Sequence, residues 1–217
     1  MHSVDQTAFE IEVPGKWILA GEHSVLRGGE ALVFPLFSRS LKLFFIKSTN
    51  QEFELNIKGV KQAELELVVW SVLEKALKKL NLKRNNIAGS MTLDSNIVLG
   101  AGMGASASLC VAFAEWLSWL GYISNTEKFE FARDLENLFH GESSGVDIAV
   151  VLHKKPILFK RNEKTNEFNL DIQSRPYLYL SYCGERGVTK DCVEKVKKLF
   201  LDSPSVAEDV DKQMMRT

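Results

Sequence analysis

Apolar and polar residues alternate at the start of the chain. Phe9, Ile11 and Val13 are separated by acidic residues, and a β-rich apolar run follows at 41–46. An apolar residue at every second position is typical of a half-buried strand. The first fifty residues are therefore predicted to be strands joined by turns, with one turn at Pro14-Gly15.

The spacing then changes to that of a helix. From Gln62 to Leu80 the apolar residues recur at three- and four-residue steps with charged residues between them, which predicts an amphipathic helix. A short strand is predicted at 91–93, and a glycine-rich loop at 100–108 leads into an apolar helix that ends near Leu120. A strand, a glycine loop and a buried helix in this order are typical of an anion-binding site.

Helices and strands are predicted to alternate in the second half of the chain. In order, they are a helix capped by Thr126 and ending near Gly141, strands at 156–160 and 177–182, and a helix capped by Thr189. The polar stretch 161–169 between the two strands predicts a hairpin or a seam between domains.

Composition narrows the function classes. The 217 residues are 45% hydrophobic and 25% charged, as in a soluble globular protein with one large domain or one domain and part of a second. A formal net charge of -1 gives no electrostatic support for a general nucleic-acid binder or a basic membrane-surface protein. We therefore expect an anionic ligand to be held by local groups.

The cysteines favour a reducing cytoplasm, and the most apolar stretch does not predict a membrane span. The three cysteines include no C-x-x-C pair, which argues against a disulfide framework or a cysteine zinc site. Residues 109–122 are interrupted by Glu115 and Ser118 and fall short of a membrane span, so they are predicted to form a buried helix. The first residues resemble no targeting peptide.

Candidate chemistry begins with the glycine loop. Gly100, Gly102 and Gly104 occupy alternate positions, and the small hydroxyl residues Ser106 and Ser108 follow at the predicted helix start. Backbone N–H groups in such a loop can approach a phosphate closely. The loop lacks the Lys of a Walker A motif and the spacing of a dinucleotide fingerprint. Close helix packing on small residues is the alternative explanation.

Two further clusters bring ionisable residues together in sequence. The first contains Lys16 and the run 22–24, and the second contains Glu136 and the glycine-flanked Asp147. Taken alone, each has an ordinary structural explanation, such as a solvated lysine, a histidine bonded to backbone or a helix cap. The three clusters together favour a functional site.

These segments resemble a known family in three places. Residues 13–32 resemble the first motif of the GHMP small-molecule kinases, 100–108 resemble its ATP-phosphate loop, and 140–147 resemble the segment with its catalytic aspartate. Within the family, the sequence Gly-Glu-His-Ser-Val at 21–25 is most similar to that of the mevalonate kinases.

The resemblance implies a fold and an activity. It implies an α+β GHMP kinase fold, a two-domain sandwich of mixed sheet and helices, with an N-terminal domain at 1–165 and the start of a C-terminal domain at 166–217. It implies phosphorylation of the primary hydroxyl of mevalonate, with ATP as co-substrate and Mg²⁺ as cofactor. A cytoplasmic enzyme without nucleic-acid or membrane partners is expected, and a homodimer is compatible with it.

The resemblance also implies roles for individual residues. Asp147 would accept the proton of the substrate hydroxyl or position it, and Lys16 would hold Asp147 ionised. Glu136, eleven positions before Asp147, and Ser106 would bind magnesium. The implied substrate-binding residues are Glu22, His23 and Ser24, and the implied ATP-binding residues are Gly100, Gly102, Gly104, Ala105 and Ser106.

The chain also departs from the family pattern. Ala105 replaces a serine, Val98-Leu99 stand where prolines are common, Ser143 replaces a proline, and Ile148 replaces the asparagine after the catalytic aspartate. The change at Ile148 bears on the pocket wall and so on substrate identity.

The family's third glycine-rich motif has no counterpart before Thr217, which predicts an incomplete C-terminal domain. Three alternatives stay open: another GHMP kinase such as phosphomevalonate kinase, a truncated non-catalytic nucleotide-binding relative, and, more distantly, a dinucleotide-binding protein. His23 favours the mevalonate kinases.

Overall fold

The computed structural model describes residues 7–22, 24–48, 52–59, 62–141, 143–163, 165–167, 178–184 and 189–214. The strands are β1 (Ala8–Ala20), β2 (Glu30–Lys47), β3 (Phe53–Gly59), β4 (Gly89–Ser95), β5 (Ile157–Lys160) and β6 (Asn166–Glu167). The helices are α1 (Gln62–Lys79), α2 (Ala105–Trp119), α3 (Lys128–His140), α4 (Val146–His153), α5 (Thr189–Asp202) and α6 (Pro204–Met214). Single 3₁₀ turns lie at Val25–Arg27 and Arg84–Asn86.

All six strands belong to one mixed sheet built around the long strand β2. Its order is β3-β4-β2-β5-β6, and β1 pairs with β2 off this path. The pairing of β3 with β4 is parallel, and the other pairings are antiparallel. The first part of β2 pairs with β5 and its last part with β4, while β1 runs along both. The sheet and its helices confirm the predicted α+β class.

Strand β1 continues through the predicted turn at Pro14-Gly15. Pro14 pairs with Ser40 whereas Gly15 pairs with Leu36, so the register shifts between them. A bulge accommodates proline, which has no N–H for the ladder, and lets the strand bend without ending. The prediction of a turn was wrong because the alternating pattern does not show that β2 pairs on both sides of the bulge.

Helix α2 lies at the centre of the core. It contacts β1 and β2 and also packs against α1, α3 and α4. Trp116 of α2 is fully buried, and its ring meets the edge of Phe45 with centroids 5.2 Å apart. The buried helix predicted at 109–122 is confirmed as far as Trp119, where α2 ends, and Tyr122 beyond it is exposed. Among the described residues, no helix is both long and apolar enough to cross a membrane.

Two other element predictions need correction. Helix α3 begins at Lys128 with Glu127 as its N-cap, not at Thr126, because the Glu127 carboxylate accepts the Ser124 N–H at 2.7 Å and so fixes the turn before the helix. Residues 178–182 have no strand pairing within the described sheet, and Tyr179 is 90% exposed there; Tyr177 lies outside the described residues.

The polar stretch 161–169 forms a hairpin as far as it is described. Strands β5 and β6 are antiparallel, and Ile157 pairs with Glu167. Residues 164, 168 and 169 lie outside the described part of the chain. The domain boundary at 165 stays a prediction.

Candidate active site

A buried ion pair joins β1 to α4. The Lys16 ammonium lies 2.9 Å from Asp147 Oδ2, and only 5% of Lys16 is exposed. Lys16 follows the β1 bulge directly, and Asp147 lies in the first turn of α4. Gly145 caps α4 with a left-handed φ of 84°, a conformation that residues with a side chain rarely adopt. The bulge and the glycine cap therefore place the two charges together.

The surroundings of Lys16 keep it charged. Burial alone would lower the pKa of Lys16, but the Asp147 carboxylate beside it, with smaller contributions from Glu22 and Glu136, raises that pKa above its ordinary value. The ion pair thus fixes one oxygen of the Asp147 carboxylate beside a charged lysine.

Glu136 adds a second carboxylate to this buried cluster. It lies on α3, is 1% exposed, and its Oε2 accepts the hydroxyl of Ser143. Burial, and then the charge of Asp147, raise the pKa of Glu136 to about 8, against the opposing effects of Ser143 and Lys16. The Lys16 ammonium thus acts on two neighbouring carboxyl groups, those of Asp147 and Glu136.

The cluster fits a divalent cation. Glu136 Oε1 and Asp147 Oδ1 are buried and have no hydrogen-bond partner among the described residues. Magnesium prefers carboxylate oxygens and commonly takes one or two of them together with substrate phosphates. No group of three or more His, Cys, Asp or Glu side chains suited to a metal occurs in the described part of the chain. A single carboxylate, that of Glu136, which leaves the remaining ligands to a hydroxyl and a nucleotide, agrees with that finding.

The glycine loop packs directly on the lysine. Gly100, Gly102 and Gly104 all have left-handed φ angles, of 76°, 71° and 76°. A Cβ on Gly104 would lie 2.6 Å from Lys16 Cγ, and the carbonyl of Met103 accepts the Lys16 N–H at 2.9 Å. Gly104 is also the N-cap of α2, which has no side-chain cap. The first N–H groups of a helix have no partner within the helix and form a site for anions.

Two serines hold this arrangement, and neither was predicted to have a role. Ser108 is fully buried, and its hydroxyl is within hydrogen-bond distance of the carbonyls of Pro14 at 2.8 Å and Gly104 at 2.9 Å. Ser143 was noted only as a replacement for proline. A small hydroxyl residue one helical turn after a capping glycine was the available signal for Ser108, whereas the contact of Ser143 required the fold.

The other predicted residues are placed less closely. Ala105 and Ser106 are half-buried in the first turn of α2. Glu22 is exposed but contributes to the field at Lys16. Ser24 is buried and donates to the carbonyl of Gly21 at 3.2 Å, so its hydroxyl holds the turn.

His23 lies outside the described residues. The structure thus brings together Lys16, Asp147, Glu136 and Gly104. The roles of the predicted ATP, magnesium and substrate residues stay predictions.

Comparison with known proteins finds similarity to the same family. Residues 67–155 match the GHMP kinases N terminal domain. Mevalonate kinase of Thermococcus onnurineus is 28% identical over 219 residues, covering 91% of this chain and 64% of that protein. Mevalonate kinase of Pyrococcus horikoshii is 29% identical over 223 residues, and the alignment covers 91% of this chain and 63% of that protein. The chain therefore spans slightly less than two thirds of these curated relatives.

Solved structures confirm the fold. The L. major mevalonate kinase in complex with R-mevalonate superimposes with a TM-score of 0.74 at 21% identity, covering all of this chain and 69% of that one. The Methanococcus jannaschii mevalonate kinase gives a TM-score of 0.69 at 17% identity, with 98% and 71% covered. The predicted family resemblance and GHMP kinase fold are both confirmed.

Proposed function

We propose that this chain, whose residues 67–155 match the GHMP kinases N terminal domain, carries the catalytic site of a mevalonate kinase. The reaction would transfer the γ-phosphate of ATP to the primary hydroxyl of mevalonate. The observation that carries the proposal is the buried pair of Lys16 and Asp147 packed against the glycine loop at Gly104. A cytoplasmic location is part of the proposal, and a homodimer stays a prediction.

Asp147 is the group proposed to act on the substrate hydroxyl. Its Oδ1 has no hydrogen-bond partner among the described residues, while its Oδ2 is fixed by Lys16, so one oxygen is available to accept the proton or position the hydroxyl. A carboxylate is a weak base for an alcohol. Phosphoryl transfer makes its main demand on positioning and charge neutralisation, however, and a fixed aspartate with a lysine can supply these.

The glycine loop and α2 are proposed to hold the nucleotide phosphates. Glycines with left-handed φ angles let backbone N–H groups approach an anion closely, and the start of α2, which has no side-chain cap, adds further donors. Glu136 and Ser106 are the residues proposed to hold magnesium. When bound, the ion would supply positive charge to the phosphates of the nucleotide. Lys16 would remain paired with Asp147.

Mevalonate is proposed as the substrate because of the relatives. The curated relatives are named mevalonate kinases, and one structural neighbour was solved with R-mevalonate. Glu22, His23 and Ser24 remain the proposed substrate residues. Neighbours of other specificity include the Streptococcus pneumoniae phosphomevalonate kinase at a TM-score of 0.52 and the Lactococcus lactis galactokinase at 0.65. Phosphomevalonate and galactose are therefore the substrates to compare with mevalonate in an activity assay.

The test is ADP release by the purified chain with Mg·ATP and mevalonate, beside phosphomevalonate and galactose. ATP binding is titrated on the same sample. We expect turnover with mevalonate, and turnover only with another substrate would assign a different GHMP kinase. ATP binding without turnover would favour a non-catalytic nucleotide-binding relative.

The matched variant is Asp147→Asn, which keeps shape and removes the charge. Loss of a general base or positioning carboxylate lowers kcat by about 10²- to 10⁴-fold, while we expect ATP binding to change only a few-fold. Near-normal kcat in this variant would remove Asp147 from the proposed role.

A further inference from the structure

We propose that Ser143 is a positioning residue that orients the Glu136 carboxylate toward the divalent cation. The inference rests on the proposed function, since the cation is the one that accompanies the nucleotide. It concerns a hydroxyl that was not predicted to have a role in this site. The hydroxyl decides which of the two Glu136 oxygens is left for the ion.

Ser143 itself is held at two atoms. Its N–H donates to Asn137 Oδ1 at 2.7 Å, and its Oγ accepts the N–H of Gly145 at 3.1 Å. Because Oγ accepts from Gly145, its own hydrogen is free to donate, and it donates to Glu136 Oε2. Ser143 is only 7% exposed, so water does not compete strongly for this hydroxyl. The donor direction is thus set by the turn.

The same hydroxyl links the Glu136 carboxylate to the start of the helix that carries Asp147. Glu136 lies on α3, and Gly145 is the N-cap of the helix α4 that carries Asp147. The terminal torsion of a glutamate is broad and does not fix the carboxylate by itself. With Oε2 bonded to Ser143, the unpartnered oxygens of this pair are Glu136 Oε1 and Asp147 Oδ1. One serine therefore fixes the carboxylate and the start of the neighbouring helix.

This contact is a feature of this chain's own sequence. Proline is common at position 143 in the family pattern, and proline has neither a hydroxyl nor an N–H. It could not donate to Glu136 and could not bond to Asn137. The substitution to serine therefore adds two hydrogen bonds beside the site. Partners of metal-ligating groups typically contribute about 10- to 100-fold in metal affinity.

The experiment measures Mn²⁺ binding in the presence of ADP by the electron paramagnetic resonance of free Mn²⁺. It compares the unmodified chain with Ser143→Ala, which removes the hydroxyl, and Ser143→Thr, which restores it. Ser40→Ala is the matched control, because the Ser40 hydroxyl also donates to a glutamate, Glu12, at 2.6 Å, and Glu12 is exposed. Thermal unfolding of each variant gives the folded fraction.

We expect Ser143→Ala to weaken Mn²⁺ binding by about 10-fold or more, while Ser143→Thr and Ser40→Ala stay within about threefold of the unmodified chain. Equal Mn²⁺ affinity in Ser143→Ala, with Glu136→Gln weakened, would overturn the role of Ser143 and leave the metal site intact. Should Ser143→Ala not fold, Ser143→Cys, with a weak donor of similar shape, takes its place and carries the same expectation.

Two further outcomes separate this inference from the proposed function. If the unmodified chain binds no Mn²⁺ with ADP, both the metal site and the positioning role fall. If Mn²⁺ binds with the expected pattern but mevalonate is not phosphorylated, the positioning role stands and the substrate assignment fails.

Discussion

Glu136→Gln should make the metal-free protein more stable at alkaline pH. Burial and the Asp147 charge raise the pKa of Glu136 from its ordinary value of 4.5 to about 8. Over this interval the folded protein keeps a proton that the unfolded chain releases. The contribution of this proton to the free energy of unfolding is therefore fully present below pH 4.5 and is lost as the pH rises through 8. Gln cannot ionise, so the variant lacks this loss.

The size of this change in unfolding free energy follows from the two pKa values of Glu136, 4.5 and about 8. Each pH unit between the two pKa values costs at most about 1.4 kcal/mol of unfolding free energy. The whole interval gives an upper bound of about 5 kcal/mol, which is a large part of the stability of an ordinary domain. The Gln carbonyl can still accept the Ser143 hydroxyl, so the substitution removes the charge without leaving that donor unpaired.

The assay is urea unfolding from pH 5 to pH 9 in buffer with a chelator. The quantity of interest is the difference in unfolding free energy between Glu136→Gln and the unmodified chain, which should grow in favour of the variant with pH. Glu130→Gln is the control, because that glutamate lies on the same helix with its side chain 58% exposed. Parallel pH curves for Glu136→Gln and the unmodified chain would refute the reasoning.

Two further predictions concern the site, and a third concerns the ion pair between Arg27 and Asp211 of α6. Lys16→Met should lower stability by up to about 3 kcal/mol because it removes the counter-charge of Asp147, whose side chain is only 20% exposed; equal urea midpoints for the variant and the unmodified chain would contradict this. Gly104→Ala should weaken ATP binding at least about 10-fold, measured by titration, because its φ is 76° and the new Cβ would meet Lys16 Cγ. Asp211→Asn should cost about 1 kcal/mol at pH 7 by urea unfolding, because the Asp211 carboxylate accepts Arg27 Nε at 2.6 Å; an unchanged midpoint would show that the pair does not stabilise α6.

Regular elements with a strong period could be predicted from the sequence. The amphipathic helix was predicted at 62–80 and α1 is found at Gln62–Lys79, and the order of strand, glycine loop and buried helix is confirmed by β4 and α2. These elements are fixed locally, by apolar spacing and by glycine. Residues 178–182 also alternate, yet they pair with no strand in the described part of the sheet. Alternation indicates a half-buried surface and does not identify a partner strand.

The pairing of charges could not be derived from spacing alone. Lys16 and Asp147 come from distant parts of the chain, and only the family resemblance predicted that they meet. Their contact depends on the β1 bulge, which requires β2, and on the left-handed Gly145 before α4. The Ser143 bond to Glu136 was less accessible still, since a serine in place of a common proline gives no sign of its partner.

The charge balance of the cluster explains why these long-range contacts matter together. Lys16 supplies one positive charge, and Asp147 takes it through an ion pair of 2.9 Å. Glu136 is then left with a buried carboxyl that needs either a proton or another cation, because a buried carboxylate without a counter-charge is costly. A proton and a divalent ion would thus compete for the same group. A nucleotide that arrives with its metal would supply the counter-charge at the moment when its phosphates reach the glycine loop.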